Sequence, residues 1–407
     1  MRYGENSPRM ITRRRILHWL AGAVPAALAV PRVVLAAEPL RIGMSAAFTG
    51  PAQSLGTGMR TGVLAAFSEQ NAKGGIGGRP LELVPLDDGY EPSRTAPNMR
   101  KLIDEHDVIA VLGNVGTPTA AVAVPIANEK KVPFWGAFTG AGLLRKTPPD
   151  RYVVNYRASY AQEMDQLITR LLRETDVKPE EIAFFTQNDA YGDAGHSGAM
   201  QALKSQGFER AERLTHARYT RNTDDVEYGV SQLIDPRNRP RIVFMVGTAD
   251  PCAKMVRLAK ERGLGAAFVG VSFIGANPLL ERLGPDLAEN VAVSQVVPHP
   301  ELSSLPAARR FRSVLSDPKE RGFVSFEGYL AARFFIEALE KSDLSNPRES
   351  VLDEIESGRE IDLGLEKPRR LSKEQHQYEQ SVWPTVIRSG QIEVLDDWSL
   401  LMQKVSR

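Results

Sequence analysis

The residues with the clearest chemical potential lie between Asp107 and Arg145. Two short apolar runs, 108–112 and 132–135, each end in small polar residues: Gly113-Asn114-Val115-Gly116-Thr117 after the first and Phe138-Thr139-Gly140 after the second. Between them Ala121, Val122, Val124, Pro125 and Ala127 recur at helical spacing, and Pro118 suits a first helical position, where its missing N–H costs nothing. The order is strand, loop, helix, strand, loop. In a parallel sheet two such loops lie side by side at the carboxyl ends of the strands, where these sheets bind ligands. A helix following Thr117 directs free N–H groups and its positive dipole end at them. That chemistry holds an anion, a carboxylate or a phosphate. Further along, the runs 182–186, 241–246 and 267–271 also end in polar or aromatic residues: Asp189-Ala190-Tyr191-Gly192, Gly247-Thr248-Ala249-Asp250 and Ser272.

Other patterns suggest bond-making chemistry and fail on spacing. Gly56-Thr57-Gly58 and Gly62, with Asp87-Asp88 beyond, approach a dinucleotide fingerprint, but roughly ten loop residues separate them from the first strand. Gly195-His196-Ser197-Gly198-Ala199 approaches a nucleophile elbow, but Ala199 stands where a glycine is required and Ser197 falls inside a helix. His18, His106, His196, His216, His299 and His376 are scattered, with no carboxylate at metal-ligand spacing. There is no P-loop. The residues therefore point to binding rather than catalysis, with no cofactor and no metal.

The elements that must position these loops follow from periodicity. Strands are expected at 40–45 and 81–86, with helices at 57–72 and 92–105, which makes the start of the chain a β-α-β-α-β-α-β run. Lys73-Gly74-Gly75-Ile76-Gly77-Gly78 closes the first helix. After an extended run at 152–156 and a helix at 159–174, βα units resume at 182–186 with a helix to about 206, and again at 241–246 and 267–271. Residues 302–358 are helical, 360–380 are a charged loop, and 383–388 with 391–395 form a hairpin turning at Ser389-Gly390.

A chain of 407 residues with 42% hydrophobic and 25% charged residues is expected to form two α/β lobes. A formal charge of +1 offers no basis for nucleic-acid binding. The single Cys252 excludes an intrachain disulfide. Residues 1–37 form an export signal: Arg13-Arg14-Arg15 precedes an Ala/Val/Leu-rich run, as in twin-arginine signals, with cleavage expected near Ala36 or Ala37. Pro25, Pro31 and Arg32 break that run, which is short of the roughly 20 apolar residues a membrane span needs. Removing the signal takes six Arg and one Glu, a loss of +5, and leaves −4.

Taken in order, Leu40-Arg41-Ile42-Gly43, Phe48-Thr49-Gly50-Pro51, Asn71 to Gly78, Asp87-Asp88, Gly113 to Thr119 and Asp189-Ala190-Tyr191-Gly192 resemble the type I periplasmic binding proteins of ABC transporters, in the leucine/isoleucine/valine-binding group. The similarity runs from Leu40 to about Leu395. It implies a two-lobed type I periplasmic binding protein fold, each lobe a parallel sheet flanked by helices, with three hinge crossovers. Lobe I would hold 38–157 plus 298–384, and lobe II 158–297 plus 385–407. The crossovers are expected near 156–161, 294–299 and 382–387. The function implied is capture of a small molecule in the cleft by a periplasmic monomer, which reaches the membrane only through the permease subunits. A ligand-binding sensor and an α/β enzyme are the alternatives. By resemblance Thr117 and Gly116 bind the ligand carboxylate, Phe138, Thr139 and Gly140 supply a carbonyl and a hydroxyl, and Tyr191 closes over the ligand. The family's ligand-covering aromatics fall near Leu55 and Thr248, and Gln53 is a further candidate ligand contact. The acid that pairs with an amino acid's ammonium falls at Ser272, with Asp250 the nearest replacement by sequence. The ligand stays open between an amino acid and a carboxylate-bearing, amide-like or aromatic molecule.

Overall fold

The computed structural model describes residues 38–403 and Val405, so the expected export signal lies outside the described residues. The chain first builds β1 (Leu40–Ala46), α1 (Gln53–Ala72), β2 (Leu81–Asp87), α2 (Pro92–Asp104), β3 (Ala110–Leu112), α3 (Thr117–Lys130), β4 (Phe134–Trp135) and β5 (Val153–Val154). These strands form one sheet in the order β2-β1-β3-β4-β5, every pair parallel. The central strands β1 and β3 are buried almost throughout, the pattern of a parallel sheet covered by helices on both faces.

A second set follows: α4 (Tyr160–Glu174), β6 (Ile182–Gln187), α5 (Ala190–Ser205), β7 (His216–Tyr219), α6 (Glu227–Leu233), β8 (Ile242–Val246), α7 (Ala249–Glu261), β9 (Ala267–Gly270), α8 (Ala276–Ala288) and β10 (Val291–Gln295). The chain continues through α9 (Pro306–Val314), α10 (Phe323–Leu339), α11 (Pro347–Glu356) and a short antiparallel pair, β11 (Glu360–Ile361) with β12 (Arg369–Arg370). It ends in the hairpin β13 (Trp383–Arg388) and β14 (Gln391–Val394). The second sheet runs β14-β13-β10-β9-β8-β6-β7, parallel except for the terminal hairpin.

Although α10 follows the second sheet in sequence, it packs on α1 of the first. A Cβ at Gly62 would sit 1.9 Å from the Ser325 carbonyl oxygen, and one at Gly328 would sit 2.4 Å from that of Met59. The two backbones therefore approach as only glycine allows. The chain passes between the sheets after β5, after β10 and before β13, which is the two-lobed, three-crossover arrangement expected.

The structure differs locally from the expected elements. Helix α1 starts at Gln53, inside the stretch expected to be loop, because Gly56 lies against β1's end: a Cβ there would be 1.8 Å from the Ala47 carbonyl oxygen. β7 and β10 occupy stretches for which periodicity predicted no strand. β7 is an edge strand, and its sequence His216-Ala217-Arg218-Tyr219 carries little apolar signal.

Candidate functional site

Thr117 opens α3 with no side-chain cap, and the preceding Gly116 has φ 104°, in the region glycine favours. A Cβ on Gly116 would meet the Tyr90 ring at 2.1 Å, so its bareness admits that ring. The Thr117 and Thr139 hydroxyls are buried and 2.7 Å apart. The Phe138 carbonyl accepts the Gly116 N–H at 3.2 Å, and the Gly140 carbonyl accepts the Tyr160 N–H at 2.8 Å. The two strand-end loops predicted to lie together therefore do so, and the first residue of α4 is fastened to them.

From the second sheet, Tyr191 sits in the first turn of α5, beneath the Asp189 side chain, which accepts the Tyr191 N–H at 2.9 Å. Its hydroxyl donates to the Gly247 carbonyl at 3.2 Å. Its ring lies 4.5 Å from that of Phe273 and 5.3 Å from that of Tyr160. Phe273 also reaches the other lobe, 5.4 Å from Phe138 and 6.0 Å from Tyr90. Leu55, buried in α1, touches the position of a Cβ on Gly275 at 3.3 Å. Thr248 stands at the N-cap position of α7, without a side-chain capping bond, and joins the cluster through a chain. Its N–H donates to the Tyr219 hydroxyl at 2.9 Å, Tyr219 donates to Gln187 at 3.0 Å, and Gln187 donates to the Tyr90 hydroxyl at 3.1 Å.

Beneath the rings lies a charge cluster that sequence reasoning missed. Arg157, on the first crossover, is fully buried, with its guanidinium 4.5 Å above the Phe138 ring. It donates through Nη2 to the Ser272 hydroxyl and stands 3.6 Å from both Glu163 and Glu327. Its Nε is the atom that faces Glu327, and its Nη1 has no hydrogen-bond partner among the described residues. Glu163 accepts from the Ser272 N–H at 2.8 Å, the Ser272 hydroxyl at 2.9 Å and the Ser294 hydroxyl at 2.5 Å. Burial pushes the Glu327 carboxyl up to about 7, with Arg157 pulling against it and Glu163 adding to the push. Burial likewise raises the Tyr160 phenol to about 12, although Arg157 opposes this.

Two expectations need correction. Asp250 does not supply the missing acid: it pairs with Arg282 at the start of α7 and is partly exposed. The carboxylate at Ser272 comes instead from Glu163 of α4. Gln53 stands exposed on the first turn of α1, outside the buried cluster. The Asp87-Asp88 pair braces the turns around it. Asp87 accepts from the Phe48, Thr49 and Gly89 N–H groups, and Asp88 accepts from Ser45, Thr95 and the Tyr90 N–H. Ser197 lies exposed within α5, where Gly195 and Gly198 serve close packing against Val246 and Ala161. Glu163 could have been found from spacing, since it shares the buried face of α4 with Tyr160, Met164 and Leu167.

Known proteins share this architecture. A family profile described as "Periplasmic binding protein" matches residues 39–391. A crystal structure of a possible leucine/isoleucine/valine-binding protein from Rhodopirellula baltica SH 1 is 43% identical, covers 91% of this chain and 99% of its own, and superposes with a TM-score of 0.84. The Leu/Ile/Val-binding protein of Escherichia coli K12 is 24% identical over 334 residues, covering 80% of this chain and 84% of its own. The leucine-, isoleucine-, valine-, threonine- and alanine-binding protein of Pseudomonas aeruginosa is 23% identical over 294 residues, 71% of each chain. The chain thus belongs to the periplasmic binding protein family, in the type I group that includes the Leu/Ile/Val-binding proteins.

Proposed function

We propose that the mature chain is an exported solute-binding protein that captures a small molecule between its two lobes and delivers it to the permease subunits of an ABC transporter. One observation carries this reading: buried groups from the carboxyl ends of both sheets converge, with Thr117 and Thr139 from the first lobe and Tyr191 and Phe273 from the second gathered around the buried Arg157. A ligand held there would touch both lobes. A ligand touching both lobes favours the closed form, which the permease recognises. The protein would act as a periplasmic monomer after cleavage near Ala36 or Ala37, with lobe I formed by 38–157 plus 298–384 and lobe II by 158–297 plus 385–407. It would carry out no chemistry on its cargo.

The test is a thermal-shift screen of the mature protein against amino acids, amides, short-chain acids and aromatic acids, since a ligand of the native state raises Tm. Calorimetry on the best hit should then show Thr117→Ala and Tyr191→Ala each weakening affinity roughly tenfold or more, the loss of about 1.4 kcal/mol or more. Unchanged affinity in both variants removes the cleft as the binding site.

A further inference from the structure

Tyr90 belongs to the first lobe, yet its hydroxyl and its carbonyl find their partners in the second. It follows β2 and has no solvent exposure. The first lobe fixes where it points. Its backbone holds φ 65°, its N–H donates to the buried Asp88 carboxylate at 3.0 Å, and Asp88 is itself held by the Ser45 and Thr95 hydroxyls. Gly116, without a side chain, makes room for the ring, since a Cβ there would meet it at 2.1 Å.

The second lobe fixes the place that receives it, through hydrogen bonds of its own. An ionised carboxylate only accepts, so Gln187 turns its amide nitrogen to Asp189, at 2.7 Å. A backbone N–H only donates, so the Tyr219 hydroxyl accepts from Thr248 at 2.9 Å and gives its own proton to the Gln187 carbonyl at 3.0 Å. Asp189 is anchored in turn by the Tyr191 N–H at 2.9 Å and by Arg221 at 3.5 Å. With these bonds made, Gln187 has one N–H left, and it is directed at the first lobe. There it meets the Tyr90 hydroxyl at 3.1 Å, both side chains being buried. Arg221 donates to the Tyr90 carbonyl at 2.6 Å and places its guanidinium 5.9 Å from the ring centre, and the Phe273 ring lies at 6.0 Å. Removing Tyr90 from this place would strand the Gln187 N–H or open it to water, and a stranded buried donor is costly.

Each side of this contact is ordered by its own lobe, so joining the two costs little conformational entropy. We infer that Tyr90 is a latch, a side chain of the first lobe that docks against Gln187, Arg221 and Phe273 of the second and holds the lobes together without ligand. Lobes hinged in this way open and close. Tyr90 is then a positioning residue, which sets the balance between open and closed lobes before any small molecule arrives.

The test uses the mature protein with no ligand added, so its outcome is independent of the capture reading. A fluorotyrosine placed at Tyr90 reports the ring by fluorine NMR, and small-angle scattering reports the separation of the lobes. The fluorine resonance should not shift when heavy water replaces water, as expected of a buried ring. Tyr90→Ala should enlarge the radius of gyration. Tyr90→Phe, which strands only the Gln187 N–H, should do so less, lowering the closed-to-open ratio roughly tenfold. In the fluorinated protein Gln187→Leu should bring up a solvent-sensitive resonance. Circular dichroism shows whether each variant is folded. Should Gln187→Leu unfold, since it also strands the Tyr219 hydroxyl, the fluorinated parent and the Tyr90 variants decide alone. A solvent-sensitive resonance in the parent overturns the latch, and so does a radius of gyration for Tyr90→Ala equal to that of wild type.

Discussion

Glu163 and Glu327 are both carboxylates on apolar helix faces, yet they are held differently. Glu163 has three hydrogen-bond donors as well as Arg157, whereas Glu327 has Arg157 alone within ion-pair reach. Burial dominates at Glu327 and raises its carboxyl from the usual glutamate range to about 7. An acid whose folded value is raised binds more protons folded than unfolded. Its contribution to stability is therefore complete below the ordinary range near 4.5 and is lost as pH rises through about 7. Glu327→Gln resembles the protonated side chain, so wild type and variant should unfold alike near pH 5. By pH 8.5 the variant should be relatively more stable, by something on the order of 3 kcal/mol. Urea unfolding at the two pH values checks this, and a difference that does not change with pH defeats it. Spacing in α4 marks Glu163 as buried, because Tyr160, Met164 and Leu167 share its face. Nothing in the sequence reveals that Ser272 and Ser294 meet it, since those contacts join residues more than 100 positions apart.

At the scale of elements, the contact between α1 and α10 decides how the third part of the chain returns to the first sheet. It depends on Gly62 and Gly328, whose missing side chains let the helices touch backbone to backbone. Gly62→Ala should lower the free energy of unfolding by roughly 2–3 kcal/mol, because a methyl 1.9 Å from the Ser325 carbonyl forces the helices apart. Gly207→Ala is the control: φ there is +84° with no neighbour within 4 Å, so only backbone strain of about 1 kcal/mol is expected. Equal effects in the two variants would mean that the helix contact is less exacting than its geometry. Most elements were legible because βα alternation and apolar period are local properties. The strand-end loops carrying Thr117, Thr139 and Tyr191 were legible for the same reason, since topology alone places them at the carboxyl edges. The start of α1 was not, because Gly56 reads as a loop residue until its contact with Ala47 is known. Arg157 was not either, because an arginine on an extended crossover gives no sign of which lobe it enters. Phe273 was overlooked beside Ser272, although it is the ring that joins the two lobes.

For the whole molecule, what matters is how firmly the lobes hold one another outside the ligand cleft. The turn Gly89-Tyr90-Glu91 of the first lobe is gripped by Arg221 and Asn222, which follow β7 of the second. Arg221 donates to the Tyr90 carbonyl at 2.6 Å and pairs with Glu91 at 2.9 Å, while Asn222 donates to the Gly89 carbonyl at 3.3 Å. Tyr90 (φ 65°) and Asn222 (φ 58°) both hold left-handed backbone, so each side of the grip is a preformed turn. Because these contacts join the two lobes, they favour the arrangement in which the lobes meet. They are partly exposed, which limits their worth to about 1–2 kcal/mol together. A bias of that size changes the closed population several-fold, and apparent affinity follows in proportion. Arg221→Ala should therefore weaken ligand binding by roughly 3- to 20-fold, mainly through faster release, while leaving thermal stability of the unliganded protein nearly unchanged. Small-angle scattering should show a larger radius of gyration for the unliganded variant than for wild type, with the difference closing at saturating ligand. Raised salt should reproduce part of the effect in wild type and little of it in the variant, because screening acts on the Arg221–Glu91 pair. Identical scattering and identical release rates in the two proteins would leave closure to the cleft alone.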